Sequence, residues 1–105
     1  MHPSLLPRHR GPDPVTWAIL MGDAVTGVTC HRLAPEYDTG DILDRETLPI
    51  ADDIDGWRLA RALDRPSLRV LRRVCARFAA GEVPVAERQD DALATDAPFL
   101  DEDQQ

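Results

Sequence analysis

Lysine is absent from this 105-residue sequence: all twelve basic residues are arginine, set against nineteen acidic ones, for a net charge of -7. That balance excludes a domain built chiefly to neutralise phosphates, because nucleic-acid binders carry a basic stripe. The bias toward arginine is read as coding-base composition and carries no functional message. Long apolar runs are also missing. No stretch approaches the roughly 20 apolar residues of a membrane span, and Pro3, Pro7, Arg8 and Arg10 interrupt any signal-peptide core at the start. These absences predict a cytoplasmic protein with no membrane partner. Cysteine is scarce: Cys30 and Cys75 lie far apart and are expected to be free, buried thiols. Nothing spaces Cys and His for zinc, and no metal site is expected.

Apolar residues make up 43% and charged residues 30%, the balance of a soluble globular chain rather than a disordered one. At this length there is one small domain, burying only about 60 to 65% of the surface of its unfolded form. Residues 2 to 13, rich in proline, read as an extended loop. Asp13-Pro14 signals a helix start, with the Asp13 side chain as cap, and the helix runs to residue 21 before Gly22. Strands are expected over 25 to 33 and 42 to 50 as hairpin or near-neighbour partners, linked by a loop that contains Asp38-Thr39-Gly40. A long helix follows over 53 to 80, capped by Asp52, Asp53 or Asp55 and broken or kinked at Pro66. Its arginines Arg65, Arg69, Arg72, Arg73 and Arg77 read as a solvated face. Residues 90 to 105 read as an acidic, mobile tail. Two strands leave a sheet edge open, which argues that an upstream segment or a partner chain completes it.

Several motifs stand in order: His2-Pro3-Ser4-Leu5-Leu6-Pro7-Arg8-x-Arg10-Gly11, Trp17-Ala18-Ile19 before Gly22-Asp23, Thr26-Gly27-Val28-Thr29, and Asp38-Thr39-Gly40-Asp41-Ile42-Leu43. Their order and gaps resemble the active-site half of the folate-dependent formyltransferases, with the methionyl-tRNA formyltransferase branch nearest. The resemblance implies an α/β fold: part of a Rossmann-like domain with two or three strands, a short helix and a long kinked helix. It also implies that residues 1 to 89 form the C-terminal half of a catalytic domain, followed by the tail.

What the resemblance implies about chemistry is specific. His2 and Asp38 match two members of a catalytic Asn/His/Asp trio that moves a formyl group from 10-formyltetrahydrofolate to an amine on an aminoacyl-tRNA or a nucleotide-linked amino sugar. Histidine suits proton handling because its pKa lies near 6.5. Ser4, Leu5, Leu6, Pro7, Arg8 and Arg10 fall in the substrate loop. Arg8 and Arg10 either contact substrate or anchor that loop. Glu36 and Tyr37 are expected on the folate side, while His9 and His31 receive no role. The family's asparagine would precede Met1, so the chain is expected to be truncated and inactive alone. Read without the resemblance, Asp38 is a turn residue. Three further readings stay open: an amino-sugar branch, suggested by Cys30-His31-Arg32-Leu33; a deformylase that delivers the formyl group to water; and a non-catalytic remnant or interaction fragment.

Overall fold

β-Branched Val25, Thr26, Val28 and Thr29 favour extended backbone in β1 (Val25–His31), which pairs antiparallel with β2 (Ile42–Pro49), Val25 opposite Pro49 and Val28 opposite Glu46. The register shifts between Cys30 and His31, so that His31 pairs with Ile42 and Leu43 is the extra residue of a bulge. The computed structural model describes residues 1–82 and 84–100. Its helices are α1 (Pro14–Leu20), α2 (Gly56–Ala62) and α3 (Asp64–Ala79), with a 3-10 turn at Asp91–Leu93. The fold class is therefore α/β, as expected.

β1 is buried on both faces. On one, Val28 packs with Leu63, Val70 and Val74, flanked by Val15, Cys30, Leu43 and Leu48. On the other, alternation turns Gly27 and Thr29 toward the loop of residues 2 to 13. Each outer edge of the hairpin is extended by one bridge, His2 to Thr29 on the β1 side and Glu87 to Ile42 on the β2 side. Gly27 permits the close approach of these layers, since a Cβ there would fall on the Glu46 carbonyl oxygen and on the Leu5 side chain.

The long helix differs from expectation in where it breaks. Leu63 separates α2 from α3, and Pro66 lies in the first turn of α3. The proline ring excludes a helical carbonyl four residues earlier, at Ala62, so the break falls one turn ahead of the proline. Asp55 caps α2 by accepting from the Arg58 N–H at 2.8 Å. Asp13 does not cap α1 with its side chain. Its N–H instead donates to the Ala97 carbonyl at 2.9 Å. Two arginines expected in solvent clamp α3 onto β2: Arg69 donates to Glu46, and Arg73 to Asp44 and Glu46. Both cysteines are free, yet neither is buried. Cys30 is half-buried and Cys75 exposed.

The segment read as a mobile tail, residues 90 to 105, packs against the rest of the chain over its described part, residues 90–100. The Arg10 N–H of the loop donates to the Thr95 carbonyl at 2.8 Å, the Ala97 N–H donates back to the Arg10 carbonyl at 2.6 Å, and Ala97 is fully buried. Trp17 Nε1 donates to the Pro98 carbonyl at 2.8 Å. The cause is the loop itself, whose unpaired amides and carbonyls require partners. Residues 101–105 of that tail lie outside the described residues. Among the described residues no helix is long and apolar enough to cross a membrane.

Gly27→Ala should destabilise the chain by about 1–3 kcal/mol through overpacking of two backbones. Urea unfolding would show a lower midpoint, and an unchanged midpoint would contradict the packing described.

Candidate functional site

The loop of residues 2 to 13 is placed by Thr29. The His2 N–H donates to the Thr29 carbonyl at 2.7 Å and the Thr29 N–H returns a bond to His2 at 2.8 Å. The Thr29 hydroxyl donates to the Ser4 carbonyl at 2.7 Å and accepts from the Leu6 N–H at 3.2 Å. The Ser4 hydroxyl closes the next turn by donating to the Arg8 carbonyl at 2.7 Å. This places the His2 ring, 6% exposed, at the mouth of the loop.

Asp38 comes from the opposite side, on the loop between β1 and β2. Its backbone is left-handed, φ 61°, a conformation that aspartate tolerates better than most residues. Gly40 closes this loop where a Cβ would strike the Arg32 carbonyl. Gln89 holds it, its amide donating to the carbonyls of Asp38 at 2.8 Å and Gly40 at 2.7 Å. One Asp38 oxygen accepts from the Gly11 N–H at 2.9 Å. The other lies 3.3 Å from His2 Nδ1 and 3.6 Å from His31 Nε2. His2, Asp38, Gly11, Pro12 and Tyr37 line a cleft of about 370 Å³.

The His2 ring has two acceptors. Nε2 lies 2.8 Å from the His9 carbonyl, which can only accept, so Nε2 carries the proton of the neutral ring and Nδ1 is left toward Asp38. Burial pushes the imidazole below its ordinary value of 6.5. The His9 carbonyl and Asp38 oppose that shift, while His31 and the chain amino group reinforce it. Behind the loop, Asp23 accepts from Arg8 Nε at 2.9 Å and faces His9 Nε2 at 2.7 Å. The Arg8 bond, and after it the His9 contact, holds the Asp23 carboxyl below the usual carboxylate range against burial.

These motifs and this geometry meet in one match. The family model described as formyl transferase covers residues 1–75. The chain belongs to the formyl transferase family. The methionyl-tRNA formyltransferase of Chlorobium limicola is 41% identical over 100 residues, covering 95% of this chain and 31% of that protein. That of Koribacter versatilis is 41% identical over 95% of this chain and 32% of its own length. The chain thus spans about a third of the length of the curated relatives it matches. Among solved structures, HypX from Aquifex aeolicus in complex with tetrahydrofolic acid superposes with a TM-score of 0.86 at 23% identity, over 98% of this chain and 18% of that one. An N-formyltransferase from Helicobacter canadensis, bound to folinic acid and dTDP-3-aminofucose, superposes with a TM-score of 0.85 at 22% identity, over 93% of this chain and 35% of that one.

Within this member of the family the predicted residues divide. His2, Asp38 and Tyr37 meet at the cleft. Glu36 is exposed on the same loop, its carbonyl accepting from the Thr39 hydroxyl at 2.8 Å. Ser4 and Leu6 are buried beneath the loop, so they shape it rather than face the cleft. Leu5 packs near Gly27, and the Pro7 carbonyl accepts from Thr95. Arg8 binds Asp23, and Arg10 binds Gln89 and Asp91, so both anchor the loop. Sequence reasoning missed three residues: His31, Asp23 and Gln89. His31 had a usable signal, because it lies two positions after Thr29 and a strand places such residues on one face. Gln89, distant in sequence, had none. Among the described residues, no group of three His, Cys, Asp or Glu is arranged to hold a metal ion.

The His2 shift has a defined sign. Between its depressed folded value and 6.5 the unfolded chain binds more protons, so stability rises with pH across that window and is lost as pH falls through 6.5. An NMR titration of His2 should show a midpoint below 6.5, and Asp38→Asn should lower it further by removing an attractive charge. A native midpoint at or above 6.5 would contradict the burial argument.

Proposed function

We propose that this chain carries the His2–Asp38 part of a site that transfers a formyl group from 10-formyltetrahydrofolate to an amine, with an aminoacyl-tRNA of the methionyl type as favoured acceptor. The observation that carries the reading is the 3.3 Å approach of His2 Nδ1 to Asp38 at the floor of an accessible cleft. Transfer breaks the bond from formyl carbon to donor nitrogen, forms one to the acceptor nitrogen, and moves one proton from the attacking amine to the leaving nitrogen. His2 is suited to carry that proton on Nδ1, because Nε2 is committed to the His9 carbonyl. Asp38 stabilises the charged ring when Nδ1 is protonated. Tyr37 and Pro12 offer flat apolar walls to the ring system of a folate, and Glu36 is exposed next to Tyr37 on the same loop.

An oxyanion donor is the missing element of this reading. The sequence contains no asparagine, and among the described residues the one side-chain amide near the site, that of Gln89, is committed to loop carbonyls. Loss of one such donor typically slows catalysis on the order of a hundred- to a thousand-fold. We therefore expect the 105-residue chain alone to bind folate weakly and to show no measurable transfer. An upstream segment or partner chain that continues the sheet beyond His2 would supply the donor and the remaining pocket wall. An amino-sugar acceptor is the second reading, favoured by Cys30-His31-Arg32-Leu33 and by the seat of His31 beside Asp38. An acidic chain holds tRNA only where a basic surface is provided elsewhere.

Grafting residues 1–100 in place of the matching stretch of a methionyl-tRNA formyltransferase relative gives the test. The graft should formylate initiator methionyl-tRNA in preference to a nucleotide-linked amino sugar. Asp38→Asn should lower its rate roughly a hundred-fold or more with the fold retained. An unchanged rate would reduce Asp38 to a loop residue. Turnover by the 105-residue chain alone, abolished by His2→Ala, would overturn the need for an added donor.

A further inference from the structure

Residue 9 carries two unusual features. Its backbone is left-handed, φ 58°, although histidine has a full side chain. Its ring is almost wholly buried, and Nδ1 has no hydrogen-bond partner among the described residues. A residue that only filled the loop would avoid both, since glycine adopts the same backbone without strain and buries no ring nitrogen. What holds His9 there is a pair of anchors from elsewhere in the chain. Asp23, just before β1, faces Nε2 at 2.7 Å, and the Thr95 hydroxyl accepts from the His9 N–H at 2.8 Å. Arg8, bound to the same Asp23, fixes the carboxylate. The group that emerges from this clamp is the His9 carbonyl, 2.8 Å from His2 Nε2.

We propose that His9 is a positioning residue: clamped by Asp23 and Thr95, it aims its main-chain carbonyl at His2 and so selects the tautomer that leaves Nδ1 free toward Asp38. His9 and Asp23 line a hollow with Leu5 and Arg8 that shares no lining residue with the cleft. His9 therefore acts through His2 and not on a substrate. Without the clamp, residue 9 relaxes toward ordinary backbone angles and its carbonyl leaves the ring. His2 can then turn its proton to Nδ1 and donate to Asp38, which removes the free nitrogen. The functional meaning of this device rests on the formyl-transfer reading, but its structural content does not.

Imidazole-nitrogen NMR of the 105-residue chain, at a pH well above the histidine range, reports which nitrogen of His2 holds the proton. In the native chain it should be Nε2. His9→Ala should lose that preference, with Nδ1 protonation appearing, and His9→Gln, which keeps a donor for Asp23, should restore it. Thr95→Val removes the second anchor without touching Asp23 and should move the signal in the same direction, which decides the matter should His9→Ala fail to fold. A His2 proton already on Nδ1 in the native chain, or one that ignores both folded variants, overturns the proposal. Because no arm depends on turnover, a proton that follows His9 in a chain whose graft transfers nothing would sink the formyl-transfer reading and leave the clamp standing.

Discussion

Thr29 is the residue on which this arrangement depends. Both of its main-chain groups pair with His2, while its hydroxyl donates to Ser4 and accepts from Leu6. A fully buried hydroxyl is costly unless both its donor and its acceptor capacity are used, and here the loop uses both. The position of His2 is therefore a property of β1. β1 in turn is held by the apolar contacts of Val28 with α3 on its other face. The coupling runs from an aliphatic core through one threonine to an imidazole.

The site lies between loops that satisfy one another. Asp38 reaches across to the Gly11 amide, Gln89 reaches back to the carbonyls of Asp38 and Gly40, and Arg10 joins Gln89 to Asp91. Such loops have no sheet or helix ladder to consume their polar groups, so segments distant in the chain supply the partners. The same carboxylate that faces His2 thus also fixes the loop opposite. One side chain therefore serves both the cleft and the loop, and a change at Asp38 acts on both.

Much of this was legible in order and little in detail. The two strands, α1 and the pairing of His2 with Asp38 follow from motifs whose local signals agree with the fold: β-branched enrichment over residues 25 to 29, Asp-Pro at a helix start, and a turn sequence before β2. The break in the long helix was legible from Pro66 but displaced, because the clash acts on the carbonyl four residues back. The final segment misled, since an acidic and weakly apolar composition says nothing of the main-chain partners that the loop of residues 7 to 13 requires.

By itself the sequence determined family, fold class and the two groups that face each other across the cleft, because each rests on residue identity at short spacing. Only the tertiary structure decided how those groups are held. That His2 Nε2 is taken by a carbonyl, that Asp23 binds Arg8 and His9 together, and that His31 shares an oxygen of Asp38 all depend on angles and distances between segments up to dozens of residues apart. Hydrogen-bond geometry is set by the packing of those segments, and no local pattern of residues encodes it.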